Sequence, residues 1–288
     1  MQFFTMMLFA GILLFSACSK EEPEFVPQNN ENTEMKTTPN GTPALSIKGW
    51  KDEFLSANAL SDRWHLFGTP QPQWVSYACG RFGVFDNNGR YPEGSYAISK
   101  TTIGNKNGYT LETAVCIDLK DSRGAFISPE IGVTRKPFVA VEPNTIVAGM
   151  SMKLIYIGKD IPGVPPILQD HTYVVMSALA DEGAIGNGNG EDEYISSGKY
   201  AFVTDYAGNG WHTMKIVLNG ARQVAFYLDG KLIWNPKDKV HPTLLKDKNV
   251  LIGFTSPAAY GKAYHDYVKV SYPLPDEIVN TVEAEAGN

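Results

Sequence analysis

The sequence has few cysteines, few histidines and no excess of basic residues. Its 288 residues include 3 cysteines and 5 histidines, and 25 lysines and arginines stand against 31 acidic residues, for a net charge of −6. A nucleic-acid partner requires a basic stripe that displaces counterions, so this composition excludes nucleic acid as the ligand. The histidines lack the short spacings of metal sites, and no Walker loop, dinucleotide fingerprint, CxxC pair or G-x-S-x-G motif is present.

The sequence also lacks an apolar run long enough to span a membrane as a helix. Its longest run, Phe3–Phe15, has about thirteen residues, whereas a spanning helix needs roughly twenty. A run of this length followed by Ser16, Ala17 and Cys18 is typical of a secretory signal with a cleavage site after small residues. Residues 1–17 are therefore predicted to be a signal peptide.

The cysteine at the end of this segment resembles the acylated cysteine of bacterial lipoproteins. Leu14-Phe15-Ser16-Ala17-Cys18 is similar to a lipobox, and Ser19-Lys20-Glu21-Glu22 is similar to the tether of lipoproteins exported to the outer face of the outer membrane. The resemblance implies cleavage before Cys18, acyl chains on this residue as the lipid anchor, and an outer membrane lipoprotein at the cell surface. An ordinary cleaved signal peptide is the alternative.

Composition divides the rest of the chain into three parts. Residues 18–45 are poor in aromatics and rich in Glu, Asn, Thr and Pro, which predicts a lipid anchor and flexible linker. Residues 46–275 carry the patterning of one folded domain, and residues 276–288 form an acidic tail. With 43% hydrophobic and 11% aromatic residues, the chain can build one substantial core.

Alternation of apolar and polar residues dominates from Trp50 onward, and no helical stripe exceeds three turns. In the strand predicted over Tyr109–Leu119, one face is mostly apolar, while the other carries Glu112, Cys116 and Asp118. Glycine, proline and asparagine clusters separate such strands, and Asp229-Gly230 is a strong signal for a two-residue hairpin turn. The pattern predicts an all-β fold, an antiparallel β-sandwich of the jelly-roll type.

Several segments resemble the concanavalin A-like lectin/glucanase and laminin-G-like domains. Gly210–Ile216 and Val224–Lys231 are similar to a characteristic pair of strands in these domains. The remaining matches are Asp52–Phe54 and Leu60–Trp64, similar to the entry strand, and Val250–Phe254 and Ala263–Val270, similar to the closing strands. The resemblance implies a concanavalin A-like jelly roll, but lectins, hydrolases, lyases and adhesion modules share this architecture.

Carboxylate pairs with the spacing of a glycosidase are scarce. Such enzymes need two carboxyl groups about 5–5.5 Å apart for retention or about 6.5–9.5 Å apart for inversion. Glu112 and Asp118 lie six residues apart on one strand, or roughly 20 Å, which excludes this pair. Glu191 and Glu193 would lie roughly 6.6 Å apart in an extended strand, so they are the catalytic candidates. A solvated loop or a calcium site is the alternative for this acidic run.

Calcium is the one cofactor for which the sequence offers ligands. It binds hard oxygen donors, and Asp86, Asn88 and Asp192 carry such oxygens in turn-rich segments. These segments do not reproduce an EF-hand loop, and solvated turns are the alternative.

The open face of one sheet is the expected carbohydrate site. Aromatic rings there would contact the apolar side of a sugar, and planar polar groups would bind its hydroxyls. A strand predicted over Trp74–Phe85 would share this face with Tyr109–Leu119 if Cys79 and Cys116 faced each other, as a disulfide or as two buried thiols. The candidate carbohydrate-binding residues are Trp74, Tyr77, Arg81, Glu112 and Asp118. Structural roles are the alternative, with Tyr77 in the core and Arg81 and Glu112 as a cross-strand pair.

Three hypotheses for the function follow. The first is a non-catalytic lipoprotein of the cell envelope that captures a polysaccharide or oligosaccharide and contacts the membrane through its lipid anchor. The second is a glycoside hydrolase or polysaccharide lyase on the same fold. The third is a protein-adhesion module.

Overall fold

A computed structural model of the protein shows two antiparallel β-sheets packed face to face. The structure describes residues 49–68, 71–75, 81–86, 95–118, 126–139, 148–160, 165–179, 197–203, 210–254 and 261–272. These residues include one short helix, α1 (Ala57–Arg63), and two 3-10 turns, Pro166–Leu168 and Pro242–Leu245. In these ranges no helix has the length and apolar character needed to cross a membrane.

Strands make up most of the described chain. In order they are β1 (Trp50–Asp52), β2 (Trp64–Phe67), β3 (Gln73–Val75), β4 (Arg81–Asp86), β5 (Ser95–Ile103), β6 (Gly108–Asp118), β7 (Phe126–Ile127), β8 (Glu130–Thr134), β9 (Ala148–Ile157), β10 (His171–Ala178), β11 (Ser197–Val203), β12 (Trp211–Asn219), β13 (Val224–Leu228), β14 (Lys231–Trp234), β15 (Lys248–Phe254) and β16 (Gly261–Ser271).

The strands form two sheets of eight. The first sheet has the order β14-β13-β12-β6-β16-β4-β3, and β1 pairs with β16 at one side. The second sheet has the order β11-β10-β9-β8-β15-β5-β2, and β7 pairs with β9. Strands distant in sequence, such as β6 and β16, are neighbours in space, as expected for a sandwich with crossover connections. The predicted all-β antiparallel sandwich is confirmed.

The core lies between the two sheets and follows the predicted alternation. On β6, Leu111, Val115 and Ile117 are fully buried, whereas Glu112 on the opposite face is half-buried. Trp64 is 2% exposed, and its indole nitrogen donates a hydrogen bond of 2.8 Å to the buried Asp52. Each large apolar side chain buried in this way contributes about 1.5–3 kcal/mol, so this layer accounts for most of the stability.

The hairpin predicted at Asp229-Gly230 is also confirmed. β13 and β14 are antiparallel, and both turn residues have positive φ, 52° at Asp229 and 77° at Gly230. The Asp229 carboxylate accepts a hydrogen bond of 2.8 Å from the backbone N–H of Thr213 and lies 2.6 Å from Nδ1 of His212. The aspartate therefore ties the turn to β12.

The single strand predicted over Trp74–Phe85 is wrong. The structure has two antiparallel strands here, β3 and β4, with Trp74 opposite Phe82. The five residues between the strands contain one glycine and no proline, so the sequence gives only a weak turn signal. As a result β4 borders β3 and β16, and β16 separates it from β6.

Candidate functional site

One row of residues crosses the outer face of the second sheet, at right angles to its strands. Backbone pairing sets Lys153 of β9 opposite Glu130 of β8, and Glu130 opposite Gly253 of β15. The order across the sheet is Val175, Lys153, Glu130, Gly253, Tyr96 and Phe67. Met152 and Leu154, which flank Lys153 in sequence, are in the core, so the row faces away from it. We call it the Glu130 row.

An ion pair lies at the centre of this row. The Lys153 ammonium is 3.3 Å from a carboxylate oxygen of Glu130, whose side chain is 1% exposed, against 25% for Lys153. A buried carboxylate is stable only when it is paired, and removal of its partner costs about 3–5 kcal/mol. Glu130 therefore holds the more accessible Lys153 ammonium in a fixed position on the outer face.

Two glycines lie on this face beside the ion pair. At Gly253, where φ is 109°, a Cβ atom would lie 2.6 Å from the Ser95 carbonyl oxygen. At Gly132 on β8, a Cβ atom would lie 2.7 Å from the Ser151 Cβ. Neither position accepts a larger residue without movement of the backbone nearby.

Aromatic rings lie on the β2 side of this face. Phe67 stacks on Tyr96 with ring centroids 5.1 Å apart, and Phe138 contacts Phe67 at 5.4 Å and His65 at 5.0 Å. All four rings are half-buried. Burial, with a smaller effect from the Lys100 charge, lowers the pKa of His65, so its ring is neutral at pH 7. The cluster is a rigid, partly exposed aromatic surface.

Tyr173 provides a ring on the opposite side, on β10. It is half-buried, lies opposite Ile155 of β9, and donates a hydrogen bond of 3.1 Å to the Leu168 carbonyl. Val175, also half-buried, follows on the same face. The face thus has apolar and aromatic surface at both ends and one oriented ammonium between them, an arrangement suited to a ligand that is both apolar and rich in hydroxyls.

Four of the five carbohydrate-binding candidates named from sequence lie on the first sheet, away from the Glu130 row. Trp74 packs against the core from β3, and its indole nitrogen donates a 2.7 Å hydrogen bond to the Phe54 carbonyl. Glu112 lies on the outer face of the first sheet and accepts a 2.8 Å hydrogen bond from the Tyr267 hydroxyl. Arg81 begins β4 opposite Val75, and Asp118 ends β6 opposite Lys262.

The alternative in which Arg81 and Glu112 form a cross-strand pair is wrong. Glu112 lies opposite Lys215 on one side and Lys269 on the other, because β12 and β16 are the neighbours of β6. Cys116 is buried on β6, between Trp211 and Tyr264.

Several predicted residues lie outside the part of the chain that the structure describes: Cys18, Tyr77, Cys79, Asn88, Glu191, Asp192 and Glu193. The pairing of Cys79 with Cys116, the catalytic pair and the lipid anchor therefore stay predictions. Asp86 ends β4 opposite Gly261. Within the described ranges, no group of three or more His, Cys, Asp and Glu side chains is placed to hold a metal ion.

Sequence reasoning missed the Glu130 row. The local signal was a charged residue at a polar position of each strand, Glu130 before Ile131 and Lys153 between Met152 and Leu154. Nothing local shows that β8 and β9 pair in the register that joins these two charges.

Comparison with known proteins gives similarity of fold only. The sequence matches no protein-family model and no curated protein. A β-glucanase of Bacillus licheniformis is 12% identical, with 78% of this chain and 99% of that chain covered and a TM-score of 0.49. A legume lectin-like domain from Entamoeba histolytica is 6% identical, with 81% and 100% covered and a TM-score of 0.49. An alginate lyase in complex with dimannuronate is 14% identical, with 68% and 77% covered and a TM-score of 0.44. Two of these three proteins are enzymes and one is lectin-like, and at such identities the likeness concerns the architecture and not the activity.

Proposed function

We propose that the protein binds carbohydrate on the outer face of its second sheet. The observation that carries this proposal is the Glu130 row, which holds an oriented, partly exposed ammonium between partly exposed aromatic rings. Sugars present an apolar ring face and several hydroxyls, and this face offers a complement to both.

The contacts follow from the chemistry of the side chains. Tyr173 at one end, and Tyr96 with Phe67 at the other, provide flat surfaces for the C–H groups of sugar rings. The Lys153 ammonium carries three donors, one of them directed to Glu130, and its side chain is partly exposed to the hydroxyl oxygens of a ligand. Because Glu130 holds Lys153 in place, little side-chain entropy is lost when the ligand binds.

Binding without catalysis is the form of this function that we favour. Hydrolysis of a glycosidic bond uses two carboxyl groups, and among the described strands of the second sheet Glu130 is the one acidic residue. Its carboxylate is buried and paired with Lys153. A glycoside hydrolase or polysaccharide lyase stays the alternative, with Glu191 and Glu193 as its catalytic candidates.

The proposed cellular context is the outer membrane. The sequence before the folded part is similar to that of surface-exported lipoproteins, which would place the sugar-binding face next to external polysaccharide. Acylation of Cys18 would hold the protein at the membrane, because several acyl chains together give stable attachment.

The test is a binding screen of the full-length protein against neutral polysaccharides, with Tyr173→Ala and Tyr173→Phe as a matched pair. We expect Tyr173→Ala to weaken binding about 2- to 12-fold, the range for one aromatic contact, whereas Tyr173→Phe keeps the ring and the affinity. Equal affinity of the wild type and Tyr173→Ala for every ligand bound would refute the site.

The same samples separate binding from catalysis. Reducing ends and unsaturated sugar ends are measured after prolonged incubation with each polysaccharide. No product is expected. Product that appears with the wild type and disappears with Glu193→Gln would establish the enzyme instead.

A further inference from the structure

A second row of side chains crosses the outer face of the first sheet and contains three lysines. Backbone pairing sets Tyr227 opposite Lys215, Lys215 opposite Glu112, Glu112 opposite Lys269, and Lys269 opposite Lys51. Neighbouring strands are about 4.8 Å apart, so these five residues on five strands extend over about 19 Å. We call Lys215, Glu112, Lys269 and Lys51 the lysine row.

Aromatic rings fix two of the lysines. The Lys215 ammonium lies 4.9 Å from the centroid of the Tyr227 ring, and the Lys51 ammonium lies 5.0 Å from that of Tyr267. A cation over an aromatic face is attracted by the ring quadrupole, which restricts an otherwise mobile side chain. Lys51 also pairs with the Glu53 carboxylate, so Lys215 and Lys269 carry the positive charge that the row presents to a ligand.

The glutamate in the row offsets part of the positive charge of its two neighbours, but its hydrogen bond is to a tyrosine. Glu112 accepts a 2.8 Å hydrogen bond from the Tyr267 hydroxyl, and burial together with this contact raises the pKa of Tyr267, which stays protonated. Across the described residues, neither Lys215 nor Lys269 forms an ion pair, although both lie opposite Glu112. In a chain of net charge −6, these two ammonium groups form a local positive area.

The row ends at a surface pocket. The pocket has a volume of about 250 Å³ and is lined by Lys51, Asp52, Glu53, Leu55 and Arg63. Leu55 is 72% exposed, and the Arg63 side chain is 59% exposed. The pocket thus combines the exposed Leu55 with two cations that each have a carboxylate partner: Lys51 pairs with Glu53, and Arg63 lies 3.5 Å from Asp52.

We propose that the lysine row binds a linear anionic polysaccharide, at a site separate from the Glu130 row. Ammonium groups arranged in a line across a sheet match negative charges that repeat along an extended polymer. A small compact anion would instead need several donors that converge on one point. Lys215 is half-buried, so the ligand must reach into the face, which a narrow chain does and a flat bilayer does not.

The experiment compares two double variants of the full-length protein that change the net charge equally. Lys215→Gln/Lys269→Gln removes the two unpaired ammonium groups, and Lys106→Gln/Lys237→Gln removes two exposed lysines outside the row. The probes are polygalacturonate, heparin and neutral dextran, at two salt concentrations. Thermal unfolding of each variant checks that the fold is intact.

We expect the row variant to bind the polyanions about 2- to 30-fold more weakly, from two surface charge contacts, and the control to bind as the wild type does. Added salt should weaken wild-type binding, since these contacts are exposed to solvent. Equal loss in both variants, or no binding of either polyanion by the wild type, would overturn the proposal.

Two further measurements keep the outcomes distinct. Tyr173→Ala should bind the polyanions normally, so failure of the neutral-sugar site and failure of the lysine row are observed separately. Vesicles that contain phosphatidylserine are the second probe. Lysine-dependent binding to these vesicles, without binding to the polyanionic polysaccharides, would replace the proposed partner by a membrane surface.

Discussion

Acid should destabilise this protein through one buried histidine, His265 on β16. Its side chain is fully buried, and Nδ1 lies 3.0 Å from the Thr113 hydroxyl. The Thr113 hydroxyl donates its hydrogen to the Tyr267 carbonyl in a bond of 2.7 Å. In its contact with His265 the hydroxyl is therefore the acceptor, and Nδ1 of the neutral ring carries the proton and donates. Burial lowers the pKa of His265 to about 3.

The magnitude follows from the difference between the folded and unfolded pKa values. The histidine in the unfolded chain, with a pKa of about 6.5, binds a proton at pH values where the buried histidine of the folded protein stays neutral. The contribution of His265 to stability is therefore complete above about pH 6.5 and declines by about 1.4 kcal/mol per pH unit below it, until about pH 3. Between pH 7.5 and pH 5 the free energy of unfolding should fall by about 2 kcal/mol from this residue.

The assay is urea unfolding at pH 7.5 and pH 5 for the wild type and for His265→Leu. The variant has its own stability at pH 7.5, but other titrating groups are common to both proteins, so the difference between their pH dependences isolates His265. We expect the wild type to lose about 2 kcal/mol more than the variant. Equal losses would refute the reasoning.

Three other changes test the remaining parts of the structure. Lys153→Met leaves Glu130 buried without its cation and should lower the free energy of unfolding, measured in urea, by about 3–5 kcal/mol. The double variant Lys153→Met/Glu130→Leu should recover most of this loss. A Lys153→Met variant as stable as the wild type would contradict the buried ion pair. Gly253→Ala forces a Cβ atom against the Ser95 carbonyl at positive φ and should lower the free energy of unfolding by about 1–3 kcal/mol. An unchanged urea midpoint would contradict this expectation. Cys18→Ala should move the protein from the membrane to the soluble fraction on cell fractionation, and a variant that still sedimented with the outer membrane would disprove the lipobox.

Local patterns were sufficient for much of the fold. The alternation on β6 correctly separates Leu111 and Val115 from Glu112, because a strand with one face in the core must alternate. The Asp229-Gly230 turn was predictable because few residue pairs tolerate two positive φ angles. Both features depend only on residues close in sequence.

The site required information that local patterns do not contain. Glu130 and Lys153 meet because β8 and β9 pair in one register, and a shift of one residue would turn either side chain to the other face. The direct pairing of Arg81 with Glu112 failed for the same reason, since β16, from the far end of the chain, lies between β4 and β6. Strand order and register arise from the packing of the whole sandwich.

Hydroxyl-radical footprinting with a bound neutral polysaccharide tests the central claim most directly. Saturating ligand should reduce modification of Tyr173 on the outer face of the second sheet, and of Tyr96 across the same face, while Trp74 of the first sheet reacts as in the free protein. Protection confined to Trp74 and its neighbours, with Tyr173 and Tyr96 unchanged, would contradict a carbohydrate site at the Glu130 row.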